Sequence, residues 1–156
     1  MHITIVAVGQ KLPAWAQTAV DDYLARFPRD FTVIVKEVKA EARTGGKPVA
    51  QVMAAEAERI ERAVPAGDIL VAMDEHGRDM TTLDFSKKIS GWKNEGCGVT
   101  FIIGGADGLD PALKAKSSMM LRLSSMTLPH AFARVLLTEQ IYRAWSILAN
   151  HPYHRV

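Results

Sequence analysis

A single cysteine, Cys97, is all the thiol chemistry in the 156 residues. That excludes an internal disulfide framework and any multi-cysteine zinc site, and it suits a reducing compartment. Long apolar runs are also missing. Nothing approaches the roughly 18 residues that a membrane helix requires, so no membrane partner is expected. The opening residues, MHITIVAVGQKLP, have no basic stretch before the apolar one and no small-residue cleavage site. They read as a first strand and not as a signal peptide, and a cytoplasmic location is expected. No repeat period and no strong excess of one charge is present: 19 Lys+Arg stand against 17 Asp+Glu. With 48% hydrophobic and 23% charged residues, the chain is neither disordered, nor collagen-like, nor a repeat array. One domain over 1–156 is expected, large enough to fold without a staple.

The charge that is present is unevenly placed. Residues 1–108 hold 13 Lys+Arg and 15 Asp+Glu, whereas residues 109–156 hold 6 and 2. Three of the five histidines, His130, His151 and His154, also lie in the second part. An electropositive C-terminal third suits an anionic partner.

Apolar patterning predicts strands at His2–Val8, 31–38, 68–73, Val99–Ile103 and 120–123. Helices are predicted at 13–26, 49–64, 82–95, 111–117 and 131–149, with Thr81 and Asp110 as N-caps for the third and fourth. Asp74 falls at the end of the third strand. Strand–helix alternation implies an α/β fold, a mostly parallel sheet with helices on both faces. The last helix is apolar nearly all round. On a helical wheel Phe132, Val135, Leu136, Tyr142 and Ile147 cover one side, and Leu137, Ile141, Trp145 and Leu148 much of the other. We expect one side to pack on its own sheet and the other on a second subunit. A charge at Ile141 or Trp145 is expected to break either the dimer or the core.

Three segments have ligand-binding character. The turn Gly104-Gly105-Ala106-Asp107-Gly108 comes directly after a buried strand, and ligands in open α/β sheets bind beyond the carboxyl ends of strands. It is neither G-x-G-x-x-G nor a P-loop. The segment LSSMTLPHAFARVL, from Leu123 to Leu136, places two serines, a threonine and a proline between a strand and the last helix. The tail NHPYHR combines aromatic, imidazole and guanidinium groups, which suit a nucleotide; His151 and His154 alone make a poor metal site. No G-x-S-x-G nucleophile signature occurs.

Together VAVGQKLPAW, TFIIGGADGL, SSMTLPHAFARVLL and YRAWSILANHPYHR resemble the large-subunit ribosomal RNA methyltransferase H family, of the SPOUT class. The resemblance covers the whole chain. It implies a homodimer, a C-terminal trefoil knot, S-adenosyl-L-methionine as cofactor, no metal, and N3 methylation of a pseudouridine in a hairpin loop of 23S rRNA within the ribosome. It further implies a cofactor pocket formed by Met73, Gly104, Gly105, Leu123, Ser124, Ser125, Met126, Thr127 and Leu128. The family often has Pro-Glu where this chain has Ala106-Asp107. Direct methyl transfer to a ring nitrogen requires removal of an imide proton. Arg143 and Arg155 are candidates for holding the anionic ring or its phosphates. His130 and His154 are candidates for accepting the proton, and Tyr153 with Arg155 for binding RNA. A non-catalytic ribosome-binding module of the same fold is the alternative reading, and another nucleotide-binding α/β enzyme a third.

Overall fold

The computed structural model describes residues 1–9 and 11–155. Five parallel strands form one sheet in the order β2-β1-β4-β3-β5. They are β1 (His2–Val8), β2 (Thr32–Val38), β3 (Ile69–Arg78), β4 (Val99–Ile103) and β5 (Met119–Leu121). The helices are α1 (Ala14–Leu24), α2 (Val49–Ala63), α3 (Thr82–Asn94), α4 (Pro111–Lys116) and α5 (His130–Leu148). The central strands show why both faces are covered. Ile3, Ile5 and Ala7 of β1 and Val99, Phe101 and Ile103 of β4 share a core with Phe85 and Ile89 of α3 and Leu137, Ile141 and Ala144 of α5. Alternate residues Val6, Val8 and Ile102 pack with Ala57 and Ile60 of α2 and Leu113 of α4 on the other side. A strand buried on both faces must be apolar at every position, as β1 and β4 nearly are.

The structure corrects several expected boundaries. β3 does not stop at Met73 but runs on through Asp74–Arg78, re-registering so that Arg78 pairs with Leu121. β5 ends at Leu121, leaving Leu123 in the loop beyond it. Thr81 caps α3, accepting a hydrogen bond from the Asp84 amide, but Asp110 makes no side-chain cap bond. Pro111 begins α4, and its missing N–H leaves one donor fewer to satisfy. On α5, Leu137, Ile141 and Ala144 are completely buried in this chain's own core, and Trp145 packs against that core. A charge at Ile141 therefore tests folding and not dimerisation. The opposite face of α5 leaves Phe132 and Leu136 exposed, with Trp15 of α1 tilted against Phe132 at a centroid distance of 4.9 Å.

The extension of β3 lies across the exit of β5. A Cβ on Gly77 would stand 2.7 Å from the Leu121 carbonyl carbon and 2.8 Å from its amide nitrogen. The Arg122 amide donates to the Arg78 carbonyl, and its guanidinium makes two 2.7 Å bonds to Asp79. Backbone at that separation admits only glycine. Gly77→Ala is expected to cost about 2–3 kcal/mol of stability through overpacking, read as a lowered urea midpoint. Gly91→Ala is the matched control. Its Cβ meets nothing within 4 Å on an exposed face of α3, so it should leave stability unchanged or raise it by about 0.5–1 kcal/mol.

Candidate functional site: a cleft beyond β3 and β4

Loops leaving the carboxyl ends of β3, β4 and β5 open a crevice, where ligands of open α/β sheets bind. Two adjoining cavities occupy this end of the sheet, sharing Met73, Asp74, Glu75, Ile103, Leu128 and Ala133. The first is walled by Leu121, Leu123, Ser124, Met126 and Thr127. The second adds Gly104, Gly105, Asp107, Lys114 and His130. Of the pocket residues expected, all but Ser125 line one cavity or the other; Ser125 is exposed and lines neither. Asp74, Glu75, Ile103, Leu121, Lys114 and Ala133 were not foreseen. Asp74 had a signal in the sequence, an acidic residue ending a buried strand.

The glycine turn is shaped by contact. A Cβ on Gly104 would lie 2.5 Å from the Gly108 carbonyl carbon and 2.7 Å from its oxygen. Gly108, at φ +83°, occupies the left-handed region open to glycine, and its amide closes the turn on the Gly105 carbonyl at 3.0 Å. Cations do stand near the cleft, and each faces an acid. Lys114 Nζ is 3.0 Å from Asp74 Oδ2, and Arg122 is held by Asp79. Arg43 Nη2 lies 2.6 Å from Asp107 Oδ2, an ion pair at an angle poor for a hydrogen bond. Burial works against charge on Asp74, but the His76 amide and Lys114 outweigh it and hold its carboxyl below the usual range. Asp107 thus joins the turn to the 39–48 loop.

His130 opens α5 beside this turn. Its ring rests on the Gly104 carbonyl, its Nε2 is buried without a hydrogen-bond partner among the described residues, and it lines the second cavity. Burial, and then the Arg134 guanidinium, push its pKa below the ordinary value; the Gly104 carbonyl and Glu37 oppose this less strongly. The imidazole is therefore neutral at pH 7.

The remaining site residues lie elsewhere. Arg143 is 13 residues along α5 from His130, about 20 Å at 1.5 Å per residue. It is paired with Glu139 at 2.6 Å and lies 5.0 Å over the Tyr153 ring. Asn150, at φ 54°, reverses the chain after α5, and the His151 amide donates to Ser146 O at 2.8 Å. This is the Schellman pattern of a helix end. The tail is thereby folded back onto α5. The Tyr153 hydroxyl donates to Glu139 and lies 3.1 Å from that of Tyr23, and His154 Nδ1 is 3.0 Å from Ser146 Oγ. Burial, Tyr23 and Glu139 raise the Tyr153 pKa, keeping the phenol neutral. Arg155 is exposed. Within one chain, then, His130 joins the cleft loops, while Arg143, Tyr153 and His154 lie together on α5, apart from the cleft. Among the described residues no group of His, Cys, Asp and Glu is arranged to hold a metal, and no helix is long and apolar enough to cross a membrane.

A family described as "Predicted SPOUT methyltransferase" matches residues 1–154. The chain is 54% identical over 155 residues to a ribosomal RNA large subunit methyltransferase H from Bordetella avium, covering 99% of each chain. It is 52% identical over 156 residues to one from Ralstonia pickettii, covering all of both. Among solved structures, a probable methylase family protein from Haemophilus influenzae superposes with a TM-score of 0.60 at 14% identity, over 99% of this chain and 70% of that one. A putative methylase family protein from Neisseria gonorrhoeae gives 0.54 at 15%, over 90% and 81%. These two likenesses concern the fold.

Proposed function

Because the chain belongs to the SPOUT methyltransferases and, among them, to the ribosomal RNA large subunit methyltransferase H family, we propose that it methylates N3 of a pseudouridine in 23S rRNA, at position 1915 in the helix 69 loop. It acts on the ribosome in the cytoplasm, as a homodimer, with S-adenosyl-L-methionine as methyl donor. The observation that supports this best is the cleft itself. Its apolar walls and uncovered loop backbone suit an adenosyl group, which requires a flat slot and a few backbone partners. The bound cofactor would supply an electrophilic methyl on a sulfonium.

The protein's own residues then have two tasks. Met73, Leu123, Met126 and Leu128 wall the slot, with Gly104, Gly105, Ser124 and Thr127 offering backbone and Ser125 extending the loop. The second task is to remove the N3 proton, which an imide loses about two pH units above neutrality, at a cost of about 3 kcal/mol. Neutral His130, lining the cleft with Nε2 unoccupied, accepts that proton. Arg143, Tyr153, His154 and Arg155 lie too far from their own cleft, so they serve the partner's, binding RNA and stabilising the anionic ring. We further propose that the C-terminal part of the chain is tied in the trefoil knot of this class.

Calorimetry with S-adenosylmethionine and mass spectrometry of 23S rRNA from cells with and without the gene test the reaction. The methyl mark on that pseudouridine should depend on the protein; an unchanged mark refutes the assignment, and cofactor binding without turnover would leave the ribosome-binding module. For the shared site, Arg155→Ala should fold and dimerise normally yet lose at least about tenfold in rate, equivalent to about 1.4 kcal/mol. Mixed dimers with Ala133→Trp, which fills the cleft, should regain activity, because one site is then assembled from two intact halves. No recovery would assign the tail to its own subunit.

A further inference from the structure

Arg134 is the single charged residue in the α5 stretch from His130 to Thr138 that is almost wholly buried, at 3% exposure. Its Nη2 is 3.6 Å from Glu37 Oε1 at the end of β2, and its Nη1 has no hydrogen-bond partner among the described residues. A guanidinium so placed makes no large contribution to stability, because desolvation offsets a long and incomplete pairing. A role in stability alone therefore accounts for it poorly. Its position suggests another. Residues four apart on a helix face the same way, and one turn back stands His130, with the other buried unpartnered nitrogen of this region.

We propose that Arg134 is a positioning residue for methyl transfer: anchored by Glu37 under the first turn of α5, it fixes the His130 ring against the Gly104 carbonyl and keeps Nε2, buried in the wall of the second cavity, free of a hydrogen-bond partner. This deepens the reading of His130 as proton acceptor and rests on it. The charged groups around His130 are few. Arg134 lies on its own helix and Glu37 on β2, while Gly9 of the β1 end and Gly104 of the β4 end bring backbone alone. Across the cavity Asp74 is matched by Lys114 and Asp107 by Arg43, with Glu75 and His76 on the rim. The two nearest charges act on the ring in opposite senses, Arg134 against its protonation and Glu37 in favour. That opposition gives the test its signs.

Ring NMR of His130 and the pH–rate profile are to be measured in Arg134→Gln, Arg134→Lys and Glu37→Gln. Arg134→Gln should move the His130 titration and the acid limb of the rate to higher pH. Glu37→Gln should move both to lower pH. Arg134→Lys, which retains the charge, should restore the midpoint and part of the rate. Folded Arg134→Gln and Glu37→Gln variants with an unmoved His130 titration, or with shifts of the same sign, overturn the proposal. If Arg134→Gln does not fold, Arg134→Lys decides alone: a retained His130 midpoint with a lowered rate supports the proposal, and an unchanged rate or a moved midpoint refutes it. His130→Gln separates the two levels. Loss of the acid limb is expected; its persistence removes His130 as the base, whereas the NMR shifts still report on Arg134.

Discussion

Gly104→Ala is expected to abolish cofactor binding. The added methyl would meet the Gly108 carbonyl group at 2.5–2.7 Å and the Leu109 amide at 2.8 Å. All three are backbone atoms, so no side chain can rotate away. Relief has to come from moving the 104–108 turn, the wall of the cleft and the seat of the His130 ring. Overpacking of this kind costs about 1–3 kcal/mol of stability, which a domain of ordinary stability survives. The larger effect falls on the site. Displacing the backbone proposed to meet the cofactor should weaken S-adenosylmethionine binding at least about a hundredfold, about 2.7 kcal/mol. Calorimetry on a variant with native circular dichroism measures it. Binding within threefold of the parent would show that the cofactor does not use this turn.

Phe132→Asp is expected to yield a folded, inactive monomer. Phe132 and Leu136 are exposed beside Trp15, while the face of α5 that builds the core lies on the other side of the helix. Folding therefore loses little. A two-fold interface repeats every contact, so one substitution buries two unpaired charges, at about 3–5 kcal/mol each. Sedimentation should show a monomer at concentrations where the parent is dimeric. Methylation should vanish with it, as the proposed shared site requires, although S-adenosylmethionine should still bind. An active monomer would contradict both the interface and the shared site.

The central strands and α3 with its Thr81 cap were legible in the sequence because local rules govern them. β1 and β4 are apolar nearly throughout, and Thr81 stands just where a helix beginning at Thr82 needs a side-chain acceptor. The second half of β3 was not legible. Asp74, Glu75, His76, Gly77 and Arg78 read as a polar loop, and only the neighbouring β5 makes them a strand. Likewise the wheel of α5 showed two apolar sides without saying which one faces the sheet, since hydrophobicity alone does not distinguish them. Asp110 looked like a cap, but its side chain makes no bond to that helix end. The resemblance supplied the pocket residues, and physics supplied a reason for the glycines. Neither placed His130 on Gly104, a contact across 26 residues. The arginine in an otherwise apolar LPHAFARVLL was the overlooked signal, for a buried charge has to face something.

The packing of α5 against α1 also bears on how the chain comes to be folded. Tyr23 and Tyr153 meet across a sequence separation of 130, and Leu137 and Ile141 close a core begun by Ile3 and Ile5. Such long closures slow the search for the native state. During synthesis the first strands and helices emerge with an apolar face that nothing yet covers, and they have to wait for α5. Until that helix is made the nascent chain exposes an aggregation-prone apolar surface, and a message broken before it should yield a product that proteases remove.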